Sequence, residues 1–227
     1  MAEEILSSPF FGITLSIAAY SIGVWINRKT KLAILNPLLI AYLIIIPLLL
    51  ITGIPLEWYE NGGDIINMFL SPATAVLAIT IHRQRAILKE HILAILAGSI
   101  AGSVTSIAVV YALSRILGLP EEITASLLPK SITTPMAIAV SESIGGVEAI
   151  TVMAVIFTGI FGSIIGPYLI KLLRIRNEIA AGMAFGSASH AVGTSKAIEL
   201  GETEGALSSI ALVMSGIITV IITLLIF

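Results

Sequence analysis

The chain has 227 residues, 57% of them hydrophobic and only 11% charged, with a net charge of -2 and a mean hydropathy of +1.05. Soluble domains carry about 25% charged residues, so a water-facing surface of ordinary size is excluded, and the charge leaves no basic field for nucleic acid. There is no cysteine, which excludes disulfides, thiolate metal sites and cysteine nucleophiles.

A spanning helix needs about 20 mostly apolar residues, and eight apolar blocks approach that length. The first, Phe10 to Ile26, follows Glu3 and Glu4 rather than a basic segment, so it reads as a retained span and not a signal peptide. The second, Leu32 to Gly53, contains Pro37 and Pro47; neighbouring helices in a bundle re-satisfy the carbonyls that prolines free. The third, Ile65 to Ile81, holds Ser71-Pro72-Ala73-Thr74, and the fourth, Ile92 to Leu117, repeats small residues at Gly98 and Gly102. The fifth, Ala125 to Ile144, is interrupted by Pro129-Lys130-Ser131-Ile132-Thr133-Thr134-Pro135. The sixth, Ala149 to Leu172, carries Gly159, Gly162 and Gly166, which permit close helix approach. The seventh, Ile179 to Leu200, contains the polar run Gly186 to Lys196, and the eighth runs from Ala206 to Phe227. The expected fold is therefore all-α: one polytopic bundle over residues 1–227, with seven or eight membrane segments and no attached soluble domain.

Basic loops favour the cytoplasmic side, which places Asn27 to Lys31 and His82 to Arg85 inside and the acidic, aromatic stretch Pro55 to Glu60 outside. The basic loop at Lys171, Arg174 and Arg176 also falls inside if the block around Lys130 does not cross fully. A re-entrant or unwound hairpin at about 125–145 is the simplest solution. Phe69, Ser71, Ala75, Val76 and Ser99 match Phe185, Ser187, Ala191, Val192 and Ser215 at one constant offset. This predicts repeat units over 32–117 and 149–227, inverted relative to each other, as in many transporters.

Hydrocarbon offers backbone amides no water, so broken helices persist there only against protein or a wet cavity. Lysine near the bilayer centre costs at least ~2.5 kcal/mol; Lys130 therefore either snorkels or holds an anion, with Ser131, Thr133 and Thr134 as hydroxyl donors. In the second run, Ser187, Ser189, His190, Gly193, Thr194 and Lys196 exceed what a purely structural helix needs. His190 is the embedded group whose ordinary titration lies near neutrality, so it either couples protons or hydrogen-bonds the substrate, or else ties two helices together as a neutral ring. Lys196 either joins the anion site or pairs with Glu199 or Glu202. Ser71 and Thr74 either line the same cavity or only kink their helix. No nucleophile–base arrangement marks an enzyme, no cluster of residues suits a metal, and no cofactor is expected.

The sequences Leu127 to Pro135, Gly186 to Thr194, and Ser71 to Thr74 followed by His82-Arg83-Gln84-Arg85 resemble the LrgB/CidB/YohK family over essentially the whole chain. The resemblance implies one of two activities: antiholin-like control of murein hydrolases and lysis, or transport of small monocarboxylates such as pyruvate, glycolate, lactate and glycerate. It also implies a multi-pass protein of the cell (inner) membrane, beside a small LrgA/CidA-type membrane partner. Relatives more usually show an Ala-Arg pair where this chain has Ser195-Lys196-Ala197; the cation is kept with different hydrogen-bonding geometry. The expectation is an alternating-access transporter of small organic anions, elevator-like and proton-coupled through His190. A homodimer is expected, because a mobile element in so small a bundle needs a scaffold. The alternatives are a holin-like pore or regulator, and a structural support for the small partner.

Overall fold

The computed structural model describes residues 2–226 apart from 31, 33–34, 70–71, 73–74, 76–78, 80–81 and 84. Ser71 and Thr74 thus lie outside the described residues. Among the described residues all regular structure is helical, in two compact units, residues 1–73 and 74–227.

The first unit contains α1 (Ala2–Leu6), α2 (Pro9–Thr30), α3 (Pro37–Thr52) and α4 (Leu56–Asn67). α3 starts where Asn36 accepts a capping bond from the Leu38 amide at 2.9 Å and Pro37 occupies the first turn. It ends at Gly53, whose φ of 65° is the left-handed conformation that glycine adopts without cost. α2 and α4 meet backbone to backbone at Gly12 and Gly62, where any side chain would strike the partner's main chain. The Ser16 and Tyr59 hydroxyls join the same pair at 2.8 Å.

The second unit contains α5 (Arg85–Glu90), α6 (Ile92–Ile116), α7 (Glu121–Leu127), α8 (Thr134–Ser143), α9 (Glu148–Leu172), α10 (Glu178–Leu200) and α11 (Glu202–Ile226). Acidic first turns on α7, α9, α10 and α11 complement the positive helix start. Among the described residues four helices are long and apolar enough to cross a membrane: α2, α6, α9 and α11. The chain is a multi-pass membrane protein.

Neither α7, with 7 residues, nor α8, with 10, can cross; at 1.5 Å per residue they reach about 10 and 15 Å of a core about 30 Å thick. Between them Leu128, Pro129 and Ile132 are almost completely buried, so the interruption expected near Lys130 is shielded by protein. Both short helices are pinned to the start of α9. The Val147 amide donates to Ser126 Oγ at 2.7 Å, and Thr151 Oγ1 donates to Ser141 Oγ at 2.6 Å.

α10 is the second interrupted helix. Ser189 (φ -132°, ψ 18°) and His190 (φ 40°, ψ -140°) leave helical geometry midway along it. A non-glycine residue in such a conformation costs on the order of 1–3 kcal/mol and persists only where its surroundings hold it.

Candidate functional site

What holds the break in α10 is written in the glycines of α9. A Cβ on Gly159 would strike the His190 ring, one on Gly162 would overlap Ser189 Oγ, and one on Gly166 would strike Phe185. These glycines, expected only to let helices approach, form the socket of the break. In it His190 is buried, and its Nε2–H donates to the Val155 carbonyl of α9 at 2.8 Å. The ring therefore ties α9 to α10, one of the roles open from sequence. Thr194 Oγ1 donates to the His190 carbonyl at 3.0 Å and shares a 2.9 Å hydrogen bond with Ser208 Oγ of α11. Gly193 is required because a Cβ there would meet Ser189 and the Phe185 carbonyl.

Across from this break lies the one between α7 and α8. Lys130 Nζ donates to Ser131 Oγ at 3.2 Å, and Ser131 Oγ shares a 2.9 Å hydrogen bond with Ser106 Oγ, near the middle of α6. Among the described residues no carboxylate pairs with Lys130. Thr133 stands at the N-cap of α8, yet its Oγ1 is buried without a hydrogen-bond partner. An N-cap hydroxyl ordinarily accepts from the first helical turn, and a buried unpartnered hydroxyl costs about 1–3 kcal/mol. The amides of Thr134 and Met136 have no acceptor within the helix, and Pro135 has no amide to offer. The start of α8 therefore presents a hydroxyl, two amides and a partial positive charge.

The two breaks share hollows. One, of about 750 Å³, is bounded by Lys130, Phe157, Phe161, Gly162, Phe185 and Ser189 among others. A second, of about 510 Å³, is lined by Thr105, Ser106, Lys130, Ser131 and Ser187, together with small residues of α6. Lys130 and Ala188 border both. The first hollow is mainly apolar and open where Phe157 and Phe161 are exposed; the second offers four hydroxyls and a cation.

Of the residues singled out from sequence, Lys130, Ser131, Ser187 and Ser189 line these hollows. Thr133, His190, Gly193 and Thr194 are buried and line neither, and Thr134 opens α8. Lys196 stands apart, paired with Glu199 at 2.6 Å. Thr105 and Ser106 were not anticipated. Their signal was the four-residue spacing of small residues, which continues from Gly98 and Gly102 to Ser106.

The LrgB-like family profile matches residues 16–227. The antiholin-like protein LrgB of Bacillus subtilis (strain 168) is 40% identical over 220 residues, covering 96% of this chain and 95% of that protein. Those of Bacillus mycoides (strain KBAB4) and Bacillus cereus (strain B4264) are each 38% identical over 216 residues, covering 95% of this chain and 94% of theirs. No solved structure matches the chain significantly.

Proposed function

This chain belongs to the LrgB-like family, and from that premise we propose that it is a carrier of small monocarboxylates of the glycolate, glycerate, pyruvate and lactate kind. The observation that carries the reading is Lys130: a cation without a carboxylate partner among the described residues, at the meeting of two interrupted helices, facing a hydroxyl-lined hollow. A carboxylate there accepts from Lys130 Nζ and from the hydrogen-bonded Ser131–Ser106 hydroxyl pair. Charge-assisted bonds of this kind are about twice as strong as neutral ones. The Thr105 hydroxyl remains for the substrate's own hydroxyl or keto oxygen, and Ser187 Oγ, whose proton goes to the Met183 carbonyl at 2.8 Å, accepts from a substrate hydroxyl.

Alternating access in this reading comes from one repeat unit (32–117) moving against the other (149–227), inverted relative to it, on a homodimeric scaffold and with a small LrgA/CidA-type partner. The test is uptake of labelled glycolate, glycerate, pyruvate and lactate into proteoliposomes. Saturable uptake of at least one acid is expected, and absence of uptake for all four, with or without a proton gradient, sinks the proposal.

Proton coupling through His190 is a separable part of it. His190→Gln keeps a donor for the Val155 carbonyl but does not titrate. The variant is expected to retain exchange of acid for acid and to lose its response to an imposed pH gradient. An unchanged response removes the coupling role.

A second reading follows from the relatives' descriptions as antiholin-like: a regulator or pore acting on murein hydrolase release. It predicts non-saturable leakage of solutes of many sizes and no effect of Lys130 substitution on selectivity.

A further inference from the structure

The larger hollow continues beyond the breaks, along the outer groove between α9 and α10, and ends at Leu173 and Ile175. Its floor is lined by small residues, Gly162 and Gly166 on α9 and Ala184 and Ala188 on α10. From Phe161 to Leu173 the groove follows α9 for about 18 Å at 1.5 Å per residue, close to the depth of one leaflet in a core about 30 Å thick. At the far end stand Lys171, Arg174 and Arg176, all exposed and without a carboxylate partner among the described residues.

We propose that this is a binding site for an anionic phospholipid, its headgroup phosphate on Lys171, Arg174 and Arg176 and one acyl chain in the groove. The two halves of the site do different work. Arginine forks match phosphate oxygens, and each cation near the membrane surface contributes about 1 kcal/mol toward anionic lipid. The groove has no hydrophobic driving force over bulk lipid and contributes through van der Waals packing along its length; it selects an occupant of acyl shape and depth. The chain end comes to rest beside Ser189 and Lys130, where it supplies the wall that protein leaves open. Water is thereby kept from that side of Lys130, and a dry surround strengthens its field. The lipid site stands whatever the protein carries.

The test is lipid retention by the full-length protein, reconstituted in equal phosphatidylglycerol and phosphatidylcholine, extracted in mild detergent and weighed by native mass spectrometry. Phosphatidylglycerol is expected to be retained at least tenfold over phosphatidylcholine. The triple variant Lys171→Gln, Arg174→Gln, Arg176→Gln is expected to lose that preference and retain the two lipids about equally. Ile165→Trp, which fills the groove and leaves the cations, is expected to reduce retention as well. Equal retention of both lipids, or full retention by the triple variant, overturns the proposal; full retention by Ile165→Trp overturns the seating of the chain. The melting temperature of each variant in detergent confirms that it is folded. Absence of acid uptake with the lipid retained counts against the carrier alone, and uptake without lipid retention against the lipid site alone.

Discussion

Lys130→Met is expected to abolish concentrative uptake of small carboxylates while raising the protein's melting temperature. Methionine keeps the length and apolar character of the stem and removes only the charge. An ammonium near the bilayer centre costs at least ~2.5 kcal/mol, and among the described residues Lys130 has one neutral hydroxyl as its polar partner. The fold should therefore gain about 1–2 kcal/mol by losing it. The anion loses a charge-assisted hydrogen bond of about 1.5–3 kcal/mol, so its apparent affinity should fall on the order of 10- to 150-fold. Thermal unfolding in detergent and the concentration dependence of uptake measure the two effects on one preparation. A stabilised protein that no longer carries substrate is the signature of a residue kept for function. A Lys130→Met variant with normal uptake removes Lys130 from the anion site.

Gly162→Val is expected to have an effect of similar size through packing alone. The new side chain occupies the space of Ser189 Oγ, in the residue before the strained His190. Ser189 must move, and with it the hydrogen bond from His190 to the Val155 carbonyl. Overpacking of this kind costs about 1–3 kcal/mol, and the displaced break should take uptake with it. Adding Ser189→Gly should recover a large part of the stability, because the two changes share one contact and are not additive. Gly63→Ala is the matched control: nothing lies within 4 Å of a Cβ there, so a gain of about 0.5–1 kcal/mol in helix stability is expected. If Gly162→Val melts and transports like the unchanged protein, α9 is not the socket of the break.

Both interruptions were legible in the sequence because their causes are local. Pro129 and Pro135 remove donors and restrict the residues before them, and the polar run after Gly186 cannot face lipid. The pairing of Lys196 with Glu199 was legible for the same reason, as an i,i+3 spacing on one helix. The partner of His190 was not. It is the backbone carbonyl of Val155, and a carbonyl leaves no mark on residue type. The socket glycines were visible, but their role depends on which helix lies opposite, a property of the tertiary fold. The hydroxyls of Thr105 and Ser106 were hidden because Ser and Thr inside a helix ordinarily bond their own backbone. Only the neighbouring break turns Ser106 toward Ser131.

The glycines between α10 and α11 carry one more implication. A Cβ on Gly182 would meet the Glu204 carbonyl, one on Gly186 the Ser208 carbonyl, and one on Gly205 the Ile198 backbone. Main chain laid against main chain cannot slide without separating, so these two helices must travel as a single plank in any working cycle. A disulfide stapling α10 to α11, placed in this naturally cysteine-free chain, should therefore leave turnover intact, whereas one stapling α10 to α6, which belongs to the opposite repeat unit and meets Ser187 at Gly102, should arrest it.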